Sequence, residues 1–171
     1  MGDHEGFVAF LASAGADRVH HHGGTLLDHL VATHRLLVEW GCPPHVCSAG
    51  LFHSFYSWLA EPTAKSRVAL AEAIGQDAEA LVHLFTTTSP EDVLDARKAG
   101  APDHLLLRNG SEDVPVQFDV YCNLLRLDLA NTQDLLDRVP LTVHQRQRLQ
   151  SRRAALQSLL APVAVGSRSC P

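Results

Sequence analysis

Apolar positions recur along this chain with a helical period in nearly every segment where they recur at all, and no alternating strand pattern longer than a few residues stands out. Leu26, Leu27, Leu30, Val31, Leu37 and Val38 put one apolar face on a helix predicted from about Thr25 to Trp40. Gly41 with Pro43 and Pro44 interrupts it, and a second helix follows from about Pro44 to Trp58. A short helix over about Glu5 to Ala14 precedes this pair, joined to it by a polar connection, Gly15 to Gly24. Downstream, Pro62-Thr63 opens a helix ending near Gly75, and Asp77 caps another running to about Phe85. Ser89-Pro90-Glu91-Asp92 has the cap, N1 proline and acidic first turn of a short helix. Gly100 to Pro115 reads as a loop. A long helix spans about Val116 to Val139, stopped by Pro140, and a last one runs from the capping box Thr142-x-x-Gln145 to about Leu160. The expectation is an all-α, single-domain bundle of about six to eight helices over residues 1–160, with a frayed tail over 161–171.

Composition narrows the function classes. The 171 residues suffice for one core, and 46% hydrophobic with 19% charged residues is ordinary for a globular domain. No apolar run approaches the roughly 18 residues that cross a bilayer, and the first residues lack a basic leader, so the expected setting is cytoplasmic, without a membrane partner. A net charge of -5 argues against nucleic acid, and the run RQRLQSRR at Arg146 to Arg153 is expected to be a solvated helix face. Cys42, Cys47, Cys122 and Cys170 show no CxxC spacing and are expected as reduced, buried thiols.

Candidate chemistry centres on His29 and His53, one on each of the two helices flanking the Gly41 turn. Both lie within apolar runs, where a buried imidazole needs a partner. Most of the 11 histidines have simpler readings. His34 falls off the face of His29, His83 belongs to an apolar run, His4, His45 and His144 face solvent, and His104 lies in the long loop within reach of a pocket. His21 and His22, just before the His29 helix, are the nearest further donors. Ser54 is suited to binding a substrate or water. As a nucleophile it would need a base, and its neighbour His53 points about 100° away on a helix. Tyr56 and Trp58 are expected to wall the pocket, and Asp28 can orient an imidazole. Of Asp128 and Asn131, polar groups in a mostly apolar helix, one is expected to point inward.

The stretch HLVATHRLLVEWGCPPHVCSAGLFH, His29 to His53, resembles the first half of the HD-domain superfamily of metal-dependent phosphohydrolases and their oxygenase relatives. His29 matches the early helix histidine, and His53 the histidine of the His-Asp pair. Ala49-Gly50-Leu51-Phe52-His53 is similar to the Ala-Ala-Leu-Leu-His run of nucleotide-hydrolysing members, including the hydrolase domain of (p)ppGpp enzymes. Here the pair reads His53-Ser54, as in a bacterial group of HD-like proteins that carry His-Ser and an aromatic. The family's later Asp is matched by Asn131 of Leu129-Ala130-Asn131, with Asp128 as the alternative.

The resemblance implies an HD-like fold and a divalent metal, held by two imidazoles and two carboxylates, that activates water. With Ser54 and Asn131 at the acid positions, two anionic ligands have no counterpart, and a neutral two-histidine site binds hard cations poorly. Three alternatives stay open. His21, His22 or Asp128 rebuilds a site for zinc, iron or manganese. Or His29 and His53 act without metal as acid and base. Or the pocket has lost its chemistry and the protein binds a ligand or serves as a scaffold. The leading expectation is an enzyme whose partner is a small organic or phosphorylated metabolite.

Overall fold

Thr25 starts the helix around which the others are arranged. Its hydroxyl accepts the Asp28 N–H at 3.1 Å while the Asp28 carboxylate accepts the Thr25 N–H at 2.9 Å, a reciprocal cap on α2, Leu26–Glu39. Gly41 takes the left-handed conformation (φ 69°) that turns the chain into α3, Pro44–Phe52, with Pro44 at its first position. The two helices approach closely at Gly50, where a Cβ would overlap Leu37 Cδ1, itself fully buried.

The computed structural model describes residues 4–21, 23–88, 104–106 and 113–161, with 104–106 and 113 as backbone. Before α2 come α1, His4–Ser13, and a hairpin of β1, His20–His21, paired antiparallel with β2, Gly24–Thr25. After α3 come α4, Phe55–Trp58, α5, Ala64–Ile74, and α6, Gln76–Thr87. A second antiparallel pair joins β3, His104–Leu106, to β4, Asp113–Pro115, with His104 opposite Pro115. The long α7, Phe118–Arg138, and α8, Val143–Leu160, complete the order. Helix α2 packs on α3 and α7, α6 packs on α3, α5 and α7, and α8 lies along α7. The core joins Leu30, Leu37, Leu51, Phe52, Leu81, Tyr121, Leu124 and Leu125.

The all-α class holds: seven helices and the four-residue turn α4 dominate the described residues. Neither of the described helices long enough to cross a membrane is apolar enough to do so, and no other reaches that length. Five expectations change. Helix α6 begins at Gln76 after Gly75 with no side-chain cap, so Asp77 sits in its first turn and does not cap it. The helix expected over Pro44 to Trp58 stops at Phe52, because the His53 ring donates from Nδ1 to the Gly50 carbonyl at 2.8 Å and competes for an acceptor the helix would use. The connection Gly15 to Gly24 and the loop Gly100 to Pro115 each contain short paired strands, too brief to show an alternating pattern. Arg146, Arg152 and Arg153, expected on a solvated face, reach back to α7, onto the Leu136 carbonyl, Asp128 and Gln133. Cys42 and Cys47 are free thiols, but Cys122 is disulfide-bonded where a reduced thiol was expected. The helix expected from Ser89, the side chain of His104, His22 and the tail from residue 162 lie outside the described residues.

Candidate functional site

His29 is carried in the first turns of α2, His53 caps the C-terminus of α3, and Asp134 and Arg138 stand one turn apart at the end of α7. The packing of these three helices brings the side chains into one line. His29 Nδ1 lies 2.6 Å from Asp134 Oδ2, and His29 Nε2 lies 3.0 Å from His53 Nε2. Arg138 grips the same carboxylate with Nε at 3.1 Å and Nη2 at 2.6 Å. His29, His53 and Asp134 are only 2%, 5% and 4% exposed.

Hydrogen-bond polarity assigns the protons. A carbonyl only accepts, so His53 Nδ1 donates to Gly50, and a neutral His53 presents a bare Nε2. His29 Nε2 must then donate to it. Asp134, already clamped by Arg138, accepts from His29 Nδ1, so His29 donates on both sides. Burial and the charge of His29 push His53 from 6.5 down to about 3, in keeping with its role as acceptor. Burial alone would raise the Asp134 carboxyl, but hydrogen bonds from His29 and Arg138 outweigh it and hold the group below its ordinary value.

The surroundings are aromatic and close. The His21 ring lies 4.7 Å from that of His29, tilted by 34°, and the Phe85 ring meets His53 edge-on at 5.6 Å. His21 is placed by its hairpin, which sits against the end of α7. Gly23 (φ 85°) is so close that a Cβ would lie 2.9 Å from the Arg138 carbonyl oxygen. Arg138 Nη1 is buried without a hydrogen-bond partner among the described residues, a donor left over beside the line.

Residues 10–89 match the model of a domain of unknown function (DUF6817). That match takes in His21, His29 and His53 and ends before α7, which carries Asp134 and Arg138. No curated protein and no solved structure matches the chain.

Of the residues singled out from sequence, His21, His29 and His53 come together, and Asp128, Asn131, Tyr56, Trp58, Ser54 and Asp28 stand apart. Asp128 faces α8, where Arg152 holds it through two bonds at 3.2 and 2.6 Å. Asn131 is half-buried one turn before Asp134 and has no bond to the pair among the described contacts. The Tyr56 hydroxyl donates to Glu79 at 2.6 Å, and Arg67 clamps that same carboxylate. Trp58 packs on the core, and the Ser54 carbonyl accepts from Ser57 in the turn after α3. Asp28 serves the α2 cap. The residues that sequence reasoning missed are Asp134 and Arg138. Their signal was an acid and a base at i,i+4 in the last turns of a long helix.

The donor set fits a metal poorly. Asp134 lies on the Nδ1 side of His29, where it orients the ring and cannot share a cation with the two Nε2 atoms. No group of three or more His, Cys, Asp or Glu among the described residues is arranged to hold a metal ion. What the arrangement can do is hold and pass a proton between two imidazoles whose orientations are fixed from behind.

Proposed function

We propose that this protein is an enzyme acting on a small organic or phosphorylated metabolite by imidazole acid–base chemistry, with the proton between His29 Nε2 and His53 Nε2 as the one transferred. The observation that carries this reading is the buried line from Arg138 through Asp134, His29 and His53 to the Gly50 carbonyl. A carboxylate behind an imidazole fixes its tautomer and steadies its charged form, as catalytic histidines require. When a substrate takes the shared proton, His29 keeps Nδ1–H on Asp134 and gains a lone pair at Nε2. That lone pair can withdraw a proton from a neighbouring atom of the same substrate. Such a cycle suits proton shifts, eliminations and hydrations. The unpartnered Arg138 Nη1 offers a donor to a substrate oxygen or phosphate.

Both imidazoles are buried, so a covering element has to move before a substrate reaches them. The hairpin lays His21 on His29, and Phe85 of α6 lies against His53, so both belong to that cover. In this reading the bundle is a remodelled relative of the HD-domain superfamily. What supports it is the meeting of a histidine from α2, a histidine at the end of α3 and an acid from a later long helix.

The test incubates a small-molecule cell extract with the protein, His29→Gln and His53→Gln, followed by mass spectrometry. Elemental analysis of untagged, chelator-free protein and of His53→Ala runs alongside. The expected result is one metabolite consumed and one formed by the unaltered protein only, with no stoichiometric metal. Near-stoichiometric zinc, iron or manganese that disappears in His53→Ala would overturn the metal-free chemistry. Folded protein that turns over nothing would replace the enzyme with a ligand-binding or scaffold protein.

A further inference from the structure

Away from the histidine pair, a cavity of about 450 Å³ opens between α1, α2 and α3, with Phe7, His34, Val38, Cys42, Cys47 and Leu51 in its wall. None of its lining residues belongs to the line through His29 and His53. Its volume falls in the range of small-molecule sites, roughly 300–1,000 Å³. Three features of the wall select what it would hold.

Charge comes first. Among the described residues the lining contains no Asp, Glu, Lys or Arg. Burial pushes both thiols up, Cys47 to about 11, and lowers His34, so these groups are uncharged at neutral pH. An ion entering here would give up hydration to a mostly apolar wall.

Polarity comes second. His34 Nδ1 donates to the Cys47 carbonyl at 2.8 Å, which leaves Nε2 as an acceptor. That acceptor has no hydrogen bond among the described residues, and His34 lines a cavity whose other walls are mostly apolar.

Shape comes third. The His4 ring lies flat on His34, with centroids 4.3 Å apart and planes within 15°, and Phe7 adds another ring to the wall. Two sulfur atoms stand beside them. Flat rings and polarizable sulfur favour the faces and edges of an aromatic guest.

We propose that this cavity is a second binding site, for a small, uncharged, flat heteroaromatic molecule that carries an N–H or O–H donor to His34 Nε2. The proposal is independent of the chemistry assigned to His29 and His53.

The test titrates ¹⁵N-labelled full chain with indole, with 1-methylindole, which keeps the outline and loses the donor, and with indole-3-carboxylate, which adds a charge. Indole is expected to shift the backbone amides of Val38, Cys42, Cys47, Ser48 and Leu51 saturably. 1-Methylindole should bind about five-fold more weakly, the worth of one neutral hydrogen bond, and the carboxylate more weakly still. His34→Phe retains a flat ring and should erase the difference between the two neutral indoles. If that variant does not fold, Val38→Trp gives a second reading. Val38 is 53% exposed at the cavity, so a larger ring there should block entry without disturbing the core, and indole binding should be lost. The proposal is overturned by equal affinity for both neutral indoles, by equal or tighter binding of the carboxylate, by shifts centred elsewhere, or by no saturable binding.

Discussion

Acid should unfold this protein through His53 before it does so through the carboxylates. Burial and the neighbouring His29 hold His53 at about 3, whereas in the unfolded chain it returns to its ordinary 6.5. Between those values the unfolded state takes up a proton that the folded state refuses. The stabilising contribution is therefore whole above about pH 6.5 and is lost as pH falls toward about 3. One pKa unit corresponds to about 1.4 kcal/mol, so by about pH 4.5 the loss is on the order of 2–3 kcal/mol, a large share of a domain's total of about 5–15. The assay is urea unfolding at a series of pH values from neutral to mildly acidic, for the unaltered protein and for His53→Gln, which does not titrate. The variant should be less stable at neutral pH and should lose about 2–3 kcal/mol less on acidification. Asp134, whose depressed carboxyl loses its contribution only at lower pH, is common to both proteins and cancels in the comparison. Parallel stability curves for the two proteins would refute the picture of His53 as a buried neutral acceptor.

Asp134→Asn removes the anion shared by His29 and Arg138 and should destabilise the fold by about 3 kcal/mol in urea unfolding, as expected when one partner of a buried pair is lost. Unchanged stability would show that the carboxylate is solvated in solution. Gly23→Ala forces a Cβ against the Arg138 carbonyl at a positive φ and should cost about 1–2 kcal/mol. It should also separate the His21 and His29 rings in imidazole NMR spectra, and retained ring contacts would contradict the hairpin's role in placing His21. Asp128→Asn removes the carboxylate that Arg152 clamps and should loosen α8 on α7 by about 2–3 kcal/mol, while the ring nitrogen shifts of His29 and His53 stay as they are. Altered shifts would place Asp128 in the site after all.

The helices were legible because each rests on signals local in sequence. The apolar stripe of α2, the proline at the start of α3 and the Thr142–Gln145 box of α8 act within a turn or two, and the structure has all three. The misread stretches depend on contacts that apolar periodicity does not carry, one between distant segments and one within a single turn. The hairpin at His20 to Thr25 exists because Gly23 can lie against the end of α7, over a hundred residues away. The break after Phe52 is made by one side chain bonding a carbonyl three residues back, which apolar periodicity does not register.

The same distinction explains why half of the site could be read and half could not. His29 and His53 stand out because each is a polar group inside an apolar run, and such a group needs a partner. The partner itself is selected by the rotation of α7 about its own axis. At about 100° per residue, Asp128 and Asp134 point about 120° apart, so one face of α7 cannot present both to α2. Asn131 is only about 60° from Asp134, which is why a match at 131 selects the right side of the helix and the wrong residue. The rotation is set by the Asp128–Arg152 pair to α8 on one side and by the apolar face through Leu127 and Ala130 on the other, both interhelical. Once Asp128 is committed to α8, Asp134 is the buried acid of α7 left for His29, and Arg138 one turn later keeps it ionised. The charge that orients the pair therefore depends on a helix outside it. A substitution at Arg152 that rotates α7 should disturb His29 through Asp134, whereas Asp128→Asn without rotation should not.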